Sequence, residues 1–433
     1  MPNSISPDGY IPRVVDEQID EYLRAFGAVE IAGTKWCGKT WAALRHGASV
    51  SYVDENLSLA QADPSLMLLG ERPHVIDEWQ RVPSIWDTVR HEVDRTRATR
   101  GAFILTGSST PALGRGADAP VHSGAGRIGR VRMHPMSLAE SGESTGQVSL
   151  AALFDGQFSP CVCEKNTLGL LDAACRGGWP EAIDLDVRSA QLVAREYLKA
   201  TFETSVPALG LDAGLARRVC TSVVRNLGQA TTYKTIISDM FAAEDKPESL
   251  IDVGTVRSYL VALTGMYIVE EVPGWVPSSR DRRRFATKPK RYVADPSLAC
   301  ALLGMSPKAL VDDWQTFGLV FENMAMRDIS VYARALDLLD DVPVRYYRDD
   351  SGLEADAIVQ LADGRWAAME IKVSEDKVAA GVASLKRLRK KVCENPRSRT
   401  RPPVFMAVIT GNGEFAREVE PGIYSIPIRV LGR

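Results

Sequence analysis

Residues Gly33-Thr34-Lys35-Trp36-Cys37-Gly38-Lys39-Thr40 satisfy the pattern G-x-x-x-x-G-K-[ST] at every fixed position. The octet follows an apolar run at 28–32 and opens a helical stretch, the strand–loop–helix context in which the pattern has a mechanism. Its glycines let backbone N–H groups turn toward a chain of phosphates. The helix N-terminus adds a favourable partial charge. Lys39 is expected to reach the β- and γ-phosphates and Thr40 to ligate the metal, so the whole loop predicts a site for ATP with Mg²⁺.

A second element agrees with the first. In His74-Val75-Ile76-Asp77-Glu78 a short apolar strand ends in two acids. Asp77 is placed to hold Mg²⁺ and Glu78 to polarise an attacking water. Apolar runs at 28–32, 50–53, 74–76 and 102–106 alternate with helical stretches, which predicts a parallel α/β sheet. The fourth run leads into Thr106-Gly107-Ser108-Ser109, where Ser108 or Thr106 can sense a γ-phosphate; an ordinary polar turn is the alternative. Arg127, in Gly126-Arg127-Ile128-Gly129-Arg130, is a candidate for neutralising charge on the transferring phosphoryl group. Acting from a neighbouring subunit it would require a homo-oligomer. The competing expectation is a surface arginine paired with Glu140.

The 433 residues suggest two to four domains. A net charge of −3 excludes a polycation, so any nucleic-acid surface must be a local patch. No run of eighteen apolar residues occurs, so no membrane span is expected. The opening stretch MPNSISPDGYIPRVVD is polar and lacks an apolar signal core, which predicts a cytoplasmic protein. Seven scattered cysteines read as free thiols. Cys161 and Cys163 form a C-x-C pair with no second pair nearby, so buried small hydrophobes are expected rather than zinc ligands.

The order GTKWCGKT, VIDEWQRVP, FILTGSS, GAGRIGRVRMHPMSLAE and GGWPEA resembles a family of bacterial and archaeal AAA-type ATPases. Members of that family carry a C-terminal domain of unknown function similar to PD-(D/E)xK nucleases. The resemblance covers nearly the whole chain. Trp36-Cys37 departs from the smaller or amide side chains usual there, which should alter loop packing more than phosphate binding.

The middle of the chain reads as helical from 150 to 245. A helix at 231–241, another at 251–263 with Asp252 as N-cap, and a strand at 267–272 then resemble the winged-helix segment of that family. Thr255, Arg257 and Ser258 would lie on the exposed start of the second helix, where a DNA-reading helix offers side chains. Arg280, Arg282, Arg283, Arg284, Lys288, Lys290 and Arg291 form a basic run suited to phosphates. A lid or protein-contact role, with the charges solvated, is the alternative.

Beyond residue 305 the pattern predicts a helix at 314–333, three strands between 344 and 372, a basic helix near 378–392 and late strands at 404–410 and 423–430. The nuclease resemblance implies that Asp356 and Glu370 hold a divalent ion, Lys372 orients water, and Glu322 supports the metal from its helix. Strand period two puts Glu370 and Lys372 on one face, and carboxylate oxygens suit Mg²⁺. Lys386, Arg387, Arg389, Lys390, Lys391, Arg397, Arg399 and Arg401 make a second basic stretch. The expected architecture is α/β: a P-loop AAA-type core over 1–150, a helical and winged-helix segment over 151–304, and a mixed α/β nuclease-like domain over 305–433. The expected function is an ATP-driven switch acting on nucleic acid such as DNA, with metal-dependent cleavage by the C-terminal domain. The alternative is a nucleotide-regulated binding module whose C-terminal domain recognises a partner without cutting, because fold does not imply function.

Overall fold

Strand period two decides which residues of the N-terminal half meet. In β1 (Ala28–Gly33) every residue is buried, as in a strand covered on both faces. Val29 and Ile31 join a core with Ile19, Ala43 and Ile104, while Ala28 joins Ile76, Trp79, Ile85 and Phe103 on the other face. The computed structural model describes residues 5–96, 99–108, 123–164, 166–243, 251–277, 287–394 and 400–433. Arg280, Arg282, Arg283, Arg284, Arg397, Arg399 and Ser109 lie outside the described residues.

The chain divides into two compact units. The first takes residues 1–135 with 208–210 and 261–268. Its elements run α1 (Val15–Ala25), β1, α2 (Lys39–His46), β2 (Ser49–Tyr52), α3 (Leu57–Ala62), β3 (His74–Asp77), α4 (Ser84–Arg95), β4 (Phe103–Gly107) and β5 (Ile128–Met133). The strands form one sheet in the order β2-β3-β4-β1-β5, every neighbouring pair parallel. β5 is a strand that the arginine-rich reading passed over. Ile128, Val131 and Met133 are buried, while Arg130 faces out to pair with Glu30 of β1.

The second unit takes residues 136–207, 211–260 and 269–433, so the expected end of the first domain, 136–150, packs here. It opens with β6 (Val148–Ser149), α5 (Leu150–Phe154) and β7 (Cys161–Val162). Helices follow: α6 (Thr167–Arg176), α7 (Val187–Ala200), α8 (Ala213–Arg225), α9 (Tyr233–Met240) and α10 (Val253–Gly265), whose residues from 261 on are counted with the first unit. Asp212, Thr232 and Asp252 cap the last three through their side-chain oxygens. An antiparallel hairpin of β8 (Val269–Val272) and β9 (Lys290–Val293) leads to α11 (Pro296–Leu303), α12 (Pro307–Asp312) and α13 (Trp314–Ala333).

The rest is β10 (Arg345–Arg348), β11 (Glu354–Gln360), β12 (Trp366–Lys372), α14 (Val378–Cys393), β13 (Met406–Thr410), β14 (Phe415–Glu420), β15 (Ile423–Pro427) and β16 (Leu431–Gly432). Seven strands form a mixed sheet in the order β10-β11-β12-β13-β15-β14-β7. α14 is the crossover between the parallel strands β12 and β13. Its Val378, Val382, Leu385, Leu388 and Val392, three or four residues apart, pack against Trp366 and Met406. β16 returns to pair with β6.

Candidate functional site

The chemistry-bearing residues of the first unit gather where β1, β3 and β4 end. Open parallel sheets bind ligands at this carboxyl edge. Gly38 turns into α2 at φ +98°, a conformation that disfavours any side chain. Trp36, at φ +63°, is about half exposed, while Cys37 is fully buried. The two unusual loop residues thus part, one to solvent and one to the core. Lys35 is exposed.

Arg13 holds this loop from behind. Its guanidinium donates to Cys37 O at 2.9 Å and to His134 O at 2.8 Å. Nothing local in the polar N-terminal stretch signals that role.

Lys39 is buried and its Nζ donates to Thr34 O at 2.6 Å. The Thr34 hydroxyl is buried too, with no hydrogen-bond partner among the described residues. Thr40 Oγ1 donates to Asp77 Oδ1 at 2.8 Å, and Thr106 Oγ1 donates to the same oxygen at 2.5 Å. The Glu78 backbone N–H donates to Thr106 Oγ1 at 3.2 Å. Glu78 is a non-glycine residue at φ +57°, the kind of backbone outlier that clusters at functional sites. Gln80 Nε2 donates to its carboxylate, and Ser108 Oγ donates to the same oxygen at 3.5 Å. Burial pushes the Glu78 carboxyl above the usual range; Lys39 opposes this and Asp77 adds to it.

These residues fit Mg²⁺ with a nucleotide. Thr40 and Asp77 present oxygens at one point, Lys39 supplies a cation, and the unpartnered Thr34 hydroxyl belongs to the loop that would surround phosphates. Both polar residues at the end of β4 face the acids, Thr106 within the strand on Asp77 and Ser108 just after it on Glu78. Gln80 is a further member that the two acids alone did not signal.

Arg127 is not brought to this site. The register pairs Ala28 with Ile128 and Gly33 with Met133, so Arg127 precedes β5 at the sheet edge opposite the phosphate loop. Six strand residues span roughly 20 Å. Arg127 pairs with Asp94 at 2.9 Å rather than with Glu140, which accepts from Ser137.

In the second unit the expected C-terminal residues do come together. Lys372 Nζ lies 2.6 Å from Glu370 Oε2 and 3.5 Å from Asp356 Oδ2. The same Asp356 oxygen accepts the Ile371 N–H at 2.9 Å. Glu322 reaches the group from α13 and accepts from Tyr292 OH at 2.7 Å.

Two members were not expected, Glu354 and Lys290. Lys290, read in sequence as part of an exposed basic run, is 2% exposed. Its Nζ lies 2.5 Å from Glu354 Oε1, 3.4 Å from Asp356 Oδ1 and 3.6 Å from Glu322 Oε1. Burial and the Asp356 charge push the Glu322 carboxyl up to about 7, with Lys290 opposing. Arg291 is likewise buried and binds Glu271 and Thr231 O. Neither side chain is available to a phosphate backbone.

Among the described residues no group of three or more His, Cys, Asp or Glu side chains is arranged to hold a metal ion. Both oxygens of Asp356 already have cationic partners. A metal shared by Glu322, Asp356 and Glu370 does not fit this arrangement. All seven cysteines are free thiols, five of them buried. Among the described residues no helix is long and apolar enough to cross a membrane.

Residues 26–142 match a family described as an AAA domain. That span includes Gly33–Thr40, Asp77, Glu78, Thr106 and Ser108, and the match supports an AAA-type P-loop domain there. Residues 168–309 and 317–430 match two further families, each described as a domain of unknown function. Uncharacterized proteins of Mycobacterium bovis and Mycobacterium tuberculosis are each 27% identical over 317 residues, or 72% of this chain. The aligned stretch is 61% of the length of those relatives.

Among solved structures, a Walker-type ATPase of Pyrococcus abyssi aligns over 69% of this chain and 98% of its own, at 12% identity and a TM-score of 0.43. The ORC1 protein of Aeropyrum pernix, solved in complex with DNA, aligns over 69% and 95%, at 14% identity and a TM-score of 0.28. AMPPCP-bound DnaA from Aquifex aeolicus aligns over 61% and 92%, at 14% identity and a TM-score of 0.24.

Proposed function

We propose that this chain binds ATP with Mg²⁺ in its first unit, hydrolyses it, and uses the cycle to switch an action on nucleic acid. The observation that carries the ATP reading is the run of hydrogen bonds from Thr40 through Asp77 to Thr106, with the Glu78 carboxylate beside it. Thr40 and Asp77 would hold the metal, which when bound neutralises charge on the β- and γ-phosphate oxygens. Lys39 brings a further positive charge to the phosphates. Glu78 takes the proton of the attacking water, held in place by Gln80 and Ser108.

Two substitutions separate these roles. Lys39→Ala should abolish tight ATP binding. Glu78→Gln should keep binding and lower turnover by roughly a hundred-fold or more. Nucleotide affinity by fluorescence and phosphate release are measured separately. Equal turnover by Glu78→Gln and the unaltered protein would remove Glu78 from the mechanism.

The nucleic-acid reading rests on α8, α9 and α10 followed by the β8–β9 hairpin, the element order of a winged helix. On α10, Arg257 is exposed, whereas Thr255 is taken up by Asp252 and Ser258 by Gly254 O. On α14, Arg387 and Lys390 are exposed, while Lys386 and Lys391 form surface ion pairs with Glu420 and Asp349. We favour recognition without cleavage for the second unit, because Lys290 and Lys372 already pair with its acids. Duplex binding should weaken with salt and with Arg257→Ala, and should differ between ATP and ADP. Plasmid and single-stranded DNA incubated with Mg²⁺ or Mn²⁺, with and without ATP, should remain uncut. Nicking that Asp356→Asn abolishes would restore the nuclease reading.

A further inference from the structure

We propose that Lys290 is the resident cation of the C-terminal acidic cluster: its ammonium closes a carboxylate site that accepts a divalent ion only once this lysine is removed. The inference is independent of the ATP reading, since every group in it belongs to the second unit.

The geometry is that of a coordinated cation rather than a stray ion pair. One nitrogen lies within 3.6 Å of three carboxylates from two elements, Glu354 and Asp356 of β11 and Glu322 of α13. Carboxylates brought this close repel unless a cation lies among them or protons are taken up. The second lysine, Lys372, holds the remaining acid and the far oxygen of Asp356. Four acids and two lysines leave a cluster whose best anionic position is already filled.

Several bonds fix Lys290 there. β9 is tied to α13 by Asn323, whose amide accepts from Val293 N at 2.9 Å and donates to Val293 O at 3.0 Å. Tyr292, two residues along the strand, donates to Glu322. On the other side, Tyr346 of β10 donates to Lys288 O at 2.5 Å, and its ring centroid lies 5.4 Å from the Lys290 nitrogen. Gly228 completes the fit. Its N–H donates to Arg291 O, and at φ +70° it leaves room where a Cβ would lie 2.4 Å from Glu322 Oε1.

The test uses the full chain and Tb³⁺ alone as the probe, because Tyr292 and Tyr346 border the cluster and can sensitise a lanthanide bound in it. Wild-type protein should give no emission that Asp356→Asn removes, up to millimolar Tb³⁺. Lys290→Met should gain emission with affinity at least about a hundred-fold tighter, as expected for deleting a fixed charge some 3 Å from the acids. Adding Asp356→Asn to Lys290→Met should abolish the gain, and Mn²⁺ should compete it away. Wild type that binds as tightly as Lys290→Met overturns the proposal. So does a folded Lys290→Met protein that binds no better than wild type. Should Lys290→Met fold only when Mn²⁺ is present, the metal has replaced the lysine and the proposal stands. Should it fold under neither condition, wild type decides alone: emission that Asp356→Asn removes overturns the proposal, and its absence upholds it.

Discussion

Glu78 is half-buried and Lys290 buried, yet sequence exposed only the first. Glu78 follows Asp77 at the end of an apolar strand, a contiguous pattern at a readable distance from Gly33–Thr40. Lys290 stands among basic residues, and its burial depends on which way β9 faces once Asn323 has clamped it. Contiguous chemistry is legible; chemistry assembled from β9, β11 and α13 is not. The state of Glu78 gives a test at this scale. Burial raises its carboxyl above the ordinary range, so it is a competent base only above that raised value. Turnover should therefore fall, as pH is lowered, at a higher pH than an ordinary carboxylate would dictate. The Gln80 hydrogen bond favours the ionised form. Gln80→Leu should shift the acidic limb of the kcat profile to still higher pH while ATP affinity holds. An unmoved limb would mean that another group controls it. Arg127, exposed and paired with Asp94 at the far sheet edge, is out of reach of its own phosphate loop. Mixing Arg127→Ala with Lys39→Ala protein should restore some turnover if it acts from a neighbouring subunit, and Arg127→Ala turnover within about two-fold of the unaltered protein would remove it from the mechanism.

At the scale of elements, sequence recovered most strands and helices because their apolar residues recur at clear periods. The helix at 314–333 and the crossover helix near 378–392 are found where expected. β5 escaped because Arg130 and Arg132 interrupt its apolar residues, and the eye takes the arginines for a loop. β14, reading Phe-Ala-Arg-Glu-Val-Glu, escaped for the same reason: only Ala416 is buried. The attachment of β9 to α13 was not legible at all, since Asn323 and Val293 are thirty residues apart and share no motif. It should nonetheless dominate local stability. Asn323 is 1% exposed and satisfies both polar groups of the Val293 backbone. Asn323→Leu would leave them buried without partners, at a cost of about 2–4 kcal/mol. Urea unfolding followed by tryptophan fluorescence should show the loss; a change under ~0.5 kcal/mol would mean that water replaces the amide.

Over the whole molecule, each unit has its own buried core, so each should unfold as its own transition, and a ligand of one should raise that one. ATP with Mg²⁺ at about a hundred times its dissociation constant contributes roughly 2.7 kcal/mol to whatever folds around it. That corresponds to several degrees for a unit of this size. The rise should appear in one calorimetric peak and vanish in Lys39→Ala. The second peak can be identified through a site remote in sequence from the phosphate loop. Arg327 is fully enclosed between Asp295 and Asp328, at 2.9 and 2.8 Å, and the two acids also accept the Gly178 and Leu138 N–H groups. Burial pushes the Asp328 carboxyl up to about 6, while Arg327 holds it down against that pressure. Removing Asp328 leaves the buried guanidinium with Asp295 alone and the Leu138 N–H without its acceptor, a loss of about 3 kcal/mol or more. Asp328→Ala should therefore lower the second peak by a comparable or larger margin and leave the ATP-dependent rise of the first untouched. A single peak that moves with both ATP and Asp328→Ala would show instead that the two cores unfold as one.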